Sequence, residues 1–251
     1  MKPATLQATE HTASTALSCL DLTSLNDGDT EADIERLCRR AQGPHGMTAA
    51  VCVWPRFAAF ARARLPTAIA VAAVANFPGG GSDVELALRD TGAIVDAGAQ
   101  EVDVVMPYRE LAAAPALLAA VRRACEGLTL KVILETGELR DEALIRRAAA
   151  IALDAGADFL KTSTGKTPVS ATPQAATLLL QAIGHGGHAS VGFKAAGGIR
   201  TVADAAVYLA LARWHLGALT PQRLRIGASG LLDDIEAVLG GGGATTAPGD
   251  Y

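Results

Sequence analysis

Lysine is scarce in this chain. Of 22 cationic side chains only Lys2, Lys131, Lys161, Lys166 and Lys194 are lysine, so arginine carries the ordinary surface charge. Lys2 belongs to the N-terminus, and the other four sit in or just after short apolar runs. A chain that avoids lysine has kept it where a cation meets the core. Arginine stays protonated in a protein, whereas a buried lysine can lose its proton and become a nucleophile. This points to amine chemistry in the stretch Phe159-Leu160-Lys161-Thr162-Ser163-Thr164-Gly165-Lys166. The competing reading is a set of partly buried stems with solvated heads.

Other absences narrow the function. No apolar run approaches the ~18 residues of a membrane span. Met1 to Leu20 has no basic start followed by a sustained apolar stretch, so no signal peptide is expected and the location is read as cytoplasmic. The net charge of -4 is scattered, without the basic patch that nucleic acid requires. Cys19, Cys38, Cys52 and Cys125 have no C-x-x-C spacing and read as buried free thiols of a reducing compartment. Cys52 lies in an apolar strand, where a core thiol is the expectation. No H-E-x-x-H or cysteine–histidine set is present, and neither a metal nor a cofactor is expected. His185-Gly186-Gly187-His188 is spaced like a ligand pair. It falls between a helix and a strand, on the barrel face away from the chemistry.

What is there is an alternation of apolar strands and amphipathic helices. Residues 1–14 read as a flexible N-terminus. Strands are predicted over residues 17–23, 49–54, 69–75, 101–106, 128–134, 158–162, 190–194 and 223–227. Helices are predicted over 31–41, 55–65, 83–97, 110–125, 141–155, 173–183, 201–216 and 230–239. Residues 241–251 read as a flexible C-terminal tail. Apolar strands alternating with helices call for a parallel sheet covered on both faces. Eight such units in 251 residues predict an α/β fold, a single-domain (β/α)8 TIM barrel over residues 15–240. An open doubly wound sheet is the alternative. It would carry G-x-G-x-x-G after its first strand, where this chain has Thr23-Ser24-Leu25-Asn26-Asp27.

In such a barrel the chemistry collects at the C-terminal ends of the strands. Asp21, Asp103, Lys131, Lys161 and Lys194 fall at or near those positions. A period of two sets Asp103 opposite Val102 and Val104, so it points into the barrel if those valines face the helices. Lysines on adjacent strands depress each other's pKa, and burial adds to this. Bringing an amine from ~10.4 to ~7 costs roughly 4.6 kcal/mol, a large outlay unless the free amine attacks a carbonyl to form a Schiff base. The residue pattern does not rank Lys161 above Lys194. A structural ion-pair network is the alternative. Two glycine-bearing loops, Ala196-Gly197-Gly198-Ile199-Arg200 and Gly227-Ala228-Ser229-Gly230, follow the last two strands, where backbone N–H groups cradle phosphate. Gly165-Lys166 can close the same pocket.

These residues carry a family resemblance. The chain resembles the deoxyribose-phosphate aldolase family from Leu20-Asp21-Leu22-Thr23 to Tyr251. The most specific blocks are Val102-Asp103-Val104-Val105, Glu135-Thr136-Gly137-Glu138-Leu139, Lys161 to Lys166, and Gly192-Phe193-Lys194 with Gly197-Gly198. The resemblance implies a metal-independent class I aldolase. It would interconvert 2-deoxy-D-ribose 5-phosphate with D-glyceraldehyde 3-phosphate and acetaldehyde, in deoxynucleoside catabolism. By position, Lys161 would form the Schiff base, Lys194 would hold its pKa down, and Asp103 would move protons. Lys131 would lie near Asp103, and Asp21 would bind sugar hydroxyls. Thr164, Gly165, Lys166, Gly197, Gly198, Gly227 and Ser229 would bind substrate, chiefly its phosphate. Tyr251 would relay a proton from the tail. A homodimer is compatible with the resemblance. Ala195 and Gly230 depart from the proline and second serine common in the family. Two rivals stand beside this reading: a Schiff-base barrel acting on another phosphosugar, and a non-catalytic phosphosugar-binding barrel.

Overall fold

The computed structural model describes residues 4–185 and 187–241. Eight parallel strands close into a barrel in sequence order. They are β1 (Leu20–Thr23), β2 (Ala50–Val53), β3 (Ala70–Ala75), β4 (Glu101–Val105), β5 (Thr129–Ile133), β6 (Phe159–Lys161), β7 (Gly192–Ala196) and β8 (Leu224–Ala228). Pairing of β1 with both β2 and β8 completes the ring, through Asp21 opposite Ala50 and Gly227. The single-domain (β/α)8 barrel is therefore the observed fold, and the open sheet is excluded by its closure.

Alternation along the strands sorts the two faces. Leu22, Val51, Val71, Ala73, Val102, Val104, Leu130, Val132, Leu160 and Phe193 belong to the large core between strands and helices. The positions between them point inward. There, Cys52, Ala72 and Val74 form a small apolar cluster with Leu25. Asp103, Lys131 and Lys194 are fully buried. Barrel interiors are ordinarily filled by branched aliphatics, so this one is unusual in being packed with charge.

The helices around the barrel are α2 (Glu31–Arg40), α3 (Pro55–Arg62), α4 (Val84–Asp96), α5 (Ala114–Ala124), α7 (Glu142–Asp154), α8 (Pro173–His185), α9 (Val202–Leu216) and α10 (Leu231–Leu239). Caps explain several of the starts. Thr30 with Asp33 and Thr201 with Asp204 form capping boxes, and Asp83 and Asp141 cap α4 and α7. All four cysteines are buried and unpaired.

Three local expectations change. Residues 4–14 are not ragged: α1 spans Ala4–Ser18, and it packs on α9 and α10 with Ala13, Ala16 and Leu17 buried. The first strand consequently starts at Leu20 and not at Leu17. The fifth helix starts at Ala114, because residues 110–113 form turns bonded back to Pro107 and Glu110. A short helix α6 (Thr136–Leu139) and a hairpin joining Gln42–Gly43 to Gly46–Met47 were not anticipated. Residues 242–251 lie outside the described residues, and with them the expectations for the C-terminal tail and Tyr251.

Candidate active site

The four core lysines separate into a buried network and a loop contact. Register sets the network: Asp103 pairs with Lys131 across β4 and β5, and Lys161 pairs with Lys194 across β6 and β7. The Lys161 Nζ donates to Asp103 Oδ2 at 2.7 Å, and the Lys194 Nζ donates to the same oxygen at 2.8 Å. Lys194 also donates to Asp21 Oδ2 at 2.5 Å. Lys131 donates to Asp103 Oδ1 at 2.9 Å and to Glu101, and lies 3.3 Å from Asp21 Oδ2. Arg225 completes the set, donating to Asp21 Oδ1 at 2.7 Å and to both oxygens of Glu101 at 2.7 and 3.0 Å.

Three carboxylates (Asp21, Glu101 and Asp103) thus meet four basic groups (Lys131, Lys161, Lys194 and Arg225), all buried. An unpaired charge in a dry interior is expensive. The set holds one more base than carboxylates, and geometry singles out the base with the least compensation. Lys131 touches three carboxylates, and Lys194 and Arg225 touch two each. Lys161 has one carboxylate oxygen, shared with Lys194.

The titration behaviour follows. Burial works against the Lys161 ammonium and Lys194 repels it, so the amine sits below the usual lysine range despite Asp103. Burial also works against Lys194, but Asp103 and Asp21 outweigh it and push that group above the ordinary range. Mutual depression of the two lysines is therefore corrected to a one-sided effect, because Lys194 sits between two carboxylates. Burial works against the Asp103 carboxylate, but Lys131, Lys161 and Lys194 outweigh it and hold it well below the carboxylate range. Burial and the nearby Asp103 charge push the Cys52 thiol up, consistent with a core thiol.

Above the network lies a cavity of about 470 Å³ at the C-terminal end of the barrel. Lys161 opens into it, whereas Lys194, Asp103 and Asp21 do not line it. Thr164, Gly165, Lys166, Gly197, Gly198, Gly227 and Ser229 all do. Positive φ angles at Gly165 (79°), Gly197 (86°) and Gly198 (81°) favour glycine there. Gly227 has a second purpose that its sequence does not reveal. A Cβ there would come within 3.0 Å of Lys194 Cε, so the glycine makes room for the lysine stem. The Lys166 Nζ donates to Leu25 O at 2.7 Å, tying the loop after β6 to the loop after β1.

Asp21, expected at the sugar hydroxyls, is placed otherwise. It is fully buried, and its oxygens face Lys194, Lys131 and Arg225. Glu101, Glu135 and Arg225 were missed as members of the site. Glu135 adopts φ 54°, and its carboxylate accepts from the Thr164 hydroxyl at 2.5 Å and the Thr167 hydroxyl at 3.2 Å. That brace holds the loop between Lys161 and Lys166. The period-two alternation that placed Asp103 inward also places Glu101 inward, which was the available clue.

Comparison with known proteins gives the same picture. Residues 15–234 match the DeoC/LacD family aldolase profile. The chain is 48% identical over 256 residues to the deoxyribose-phosphate aldolase of Agrobacterium fabrum (strain C58), covering 98% of each protein. Among solved structures, an apo form of a candidate deoxyribose-phosphate aldolase from Toxoplasma gondii ME49 superposes with a TM-score of 0.85. It is 26% identical, with 95% of this chain and 100% of that chain covered. The tetrameric deoxyribose phosphate aldolase from Aeropyrum pernix superposes with a TM-score of 0.76 at 25% identity, covering 94% and 100%. A charged barrel interior that leaves one amine short of carboxylate partners and open to a cavity is what carbonyl chemistry requires, and the match extends over almost the whole barrel: the chain belongs to the DeoC/LacD family of aldolases.

Proposed function

We propose that the chain is a class I aldolase that reversibly cleaves 2-deoxy-D-ribose 5-phosphate to D-glyceraldehyde 3-phosphate and acetaldehyde, in deoxyribonucleoside catabolism. The observation that carries the reading is Lys161, the member of the buried network that has one shared carboxylate oxygen and opens into the cavity. The neutral amine attacks the C1 aldehyde of the open-chain sugar. Loss of water from the carbinolamine leaves an iminium. The C3 hydroxyl then gives up its proton and the C2–C3 bond breaks. Its electron pair goes into the C1–C2 enamine, and D-glyceraldehyde 3-phosphate leaves. Protonation of the enamine at C2 and hydrolysis of the iminium return acetaldehyde and free Lys161.

Asp103 and Lys194 are the groups proposed to move these protons, since both reach Lys161 through the shared oxygen. Asp21 and Lys131 set the charge around them. Thr164, Gly165, Lys166, Gly197, Gly198, Gly227 and Ser229 are proposed to hold the substrate, with the phosphate against the glycine-bearing loops after β7 and β8. Among the described residues no helix is long and apolar enough to cross a membrane, compatible with the cytoplasmic location proposed for the chain. The chain is proposed to assemble as a homodimer, which light scattering tests. Trp214, 85% exposed on α9, offers an apolar contact for it.

Borohydride reduction in the presence of acetaldehyde tests the chemistry. A two-carbon adduct mapping to Lys161 is expected, and a protein left unmodified would favour a binding barrel. Turnover of deoxyribose 5-phosphate, measured against ribose and fructose phosphates, separates this substrate from those of other Schiff-base barrels.

A further inference from the structure

Arg225 is a base in the interior network that the Schiff-base chemistry does not itself use. It projects from β8 with its guanidinium bridging Asp21 and Glu101. Its Nε donates to Pro221 O at 2.5 Å, and its guanidinium lies 5.5 Å from the centre of the Phe159 ring. That ring fits because residue 192 is glycine: a Cβ there would meet Phe159 Cε1 at 2.3 Å. Arg225 is thus clamped on several sides in a fixed orientation. A guanidinium does not deprotonate in a protein, so it is a permanent positive charge.

We propose that Arg225 is a positioning residue for the Schiff-base step. By bridging Asp21 and Glu101, it supplies a fixed counter-charge that leaves Lys161 as the one amine whose charge the network does not need. The inference rests on the Schiff-base reading given above. The charged and titratable groups around Lys161 come from six strands. Asp103 on β4, Lys194 on β7 and Cys52 on β2 act on Lys161 directly, and behind them the network continues through Glu101 on β4, Lys131 on β5, Asp21 on β1 and Arg225 on β8. The third strand contributes uncharged Ala72 and Val74. Remove the charge of Arg225 and the three carboxylates face three lysines, so Lys161 gains a reason to keep its proton. Neutralise Glu101 instead and the excess of positive charge grows, so Lys161 releases its proton more readily.

Opposite shifts that cancel are therefore the signature, and a merely structural role would not produce them. The measurement is the pH dependence of acetaldehyde trapping on Lys161 by borohydride, for which the aldehyde itself carries no titrating group. Arg225→Met is expected to move the midpoint up by about one pH unit, and Glu101→Gln to move it down by a similar amount. The double variant is expected to return close to the wild-type midpoint. Arg225→Lys, which keeps the charge, is expected to stay within about half a pH unit of wild type. Midpoints that do not move, or that move in the same direction in both single variants, overturn the proposal. If Arg225→Met does not fold, Glu101→Gln decides alone: a fall supports the proposal, and an unchanged or raised midpoint ends it. Absence of any adduct on wild-type Lys161 would instead remove the Schiff-base reading itself, a result distinct from trapping that occurs with unshifted midpoints.

Discussion

At the scale of single residues, the chemistry depends on differences in coordination between like groups. Lys161 and Lys194 are neighbours in register and share one carboxylate oxygen. Asp21 distinguishes them, because it serves Lys194 and not Lys161. This has a consequence for stability. The unfolded chain keeps a proton on residue 161 up to about pH 10.4, and the folded chain releases it earlier. Between those two points the unfolded state holds more protons, so this group makes stability rise with pH. Below the folded pKa its penalty is complete, and above about pH 10.4 it is gone. Lys161→Met should therefore be more stable than wild type at pH 6 and lose that advantage towards pH 10, as read from urea midpoints. Its aldolase activity should fall by at least about 10⁴-fold. Equal midpoint differences at both pH values would show that residue 161 carries no such penalty. Asp103 and Asp21 act in the opposite pH region. Burial works against both carboxylates, but the surrounding cations outweigh it and lower their pKa values. Their stabilisation is present above about pH 3.9 and is lost in acid.

Loops and their flanking elements decide what reaches the amine. The loops after β6 and β7 come together where both are glycine, and a Cβ on Gly197 would meet Ser170 Oγ at 2.5 Å and Gly165 Cα at 3.1 Å. Its φ of 86° adds strain for any other residue. Gly197→Ala is expected to displace the proposed phosphate cradle and leave the amine network below it in place. The KM for deoxyribose 5-phosphate should rise at least about ten-fold, which corresponds to 1.4 kcal/mol of lost binding. Trapping with acetaldehyde, which has no phosphate, should keep the wild-type rate. A parallel fall in trapping would show that the loop supports the chemistry and not the phosphate. The Glu135 brace acts at the same scale from the other side, anchoring Thr164 within the loop that connects Lys161 to Lys166.

The whole molecule has a closed ring of strands with helices outside, and α1 covers part of that outer layer. Ala13, Ala16 and Leu17 recur at i, i+3 and i+4 and bury one face of α1 where it meets α9 and α10. Those two helices follow the strands that carry the proposed phosphate loops. Removing residues 1–18 should uncover them and cost about 3–5 kcal/mol in buried apolar surface. For a chain of this size that corresponds to a fall in Tm of about 10 °C. An unchanged melting curve would mean that the helix docks without contributing to stability.

The alternation of apolar strands and helices was enough to specify eight βα units and a closed barrel, since parallel strands buried on both faces leave few other arrangements. Period two alone turned Asp103 inward, and lysine scarcity alone marked Lys131, Lys161 and Lys194. The helix at Ala4–Ser18 was less legible because its apolar face is mostly alanine and its polar residues resemble those of a loop. Residue pattern left the amines unranked; the family resemblance named Lys161, and only the tertiary structure supplied the physical reason. Which lysine has the fewest carboxylate partners depends on Asp21, Glu101 and Arg225, which come from distant parts of the chain, 204 residues apart for Asp21 and Arg225. Local pattern carries no information about such a contact, because barrel closure is what creates it.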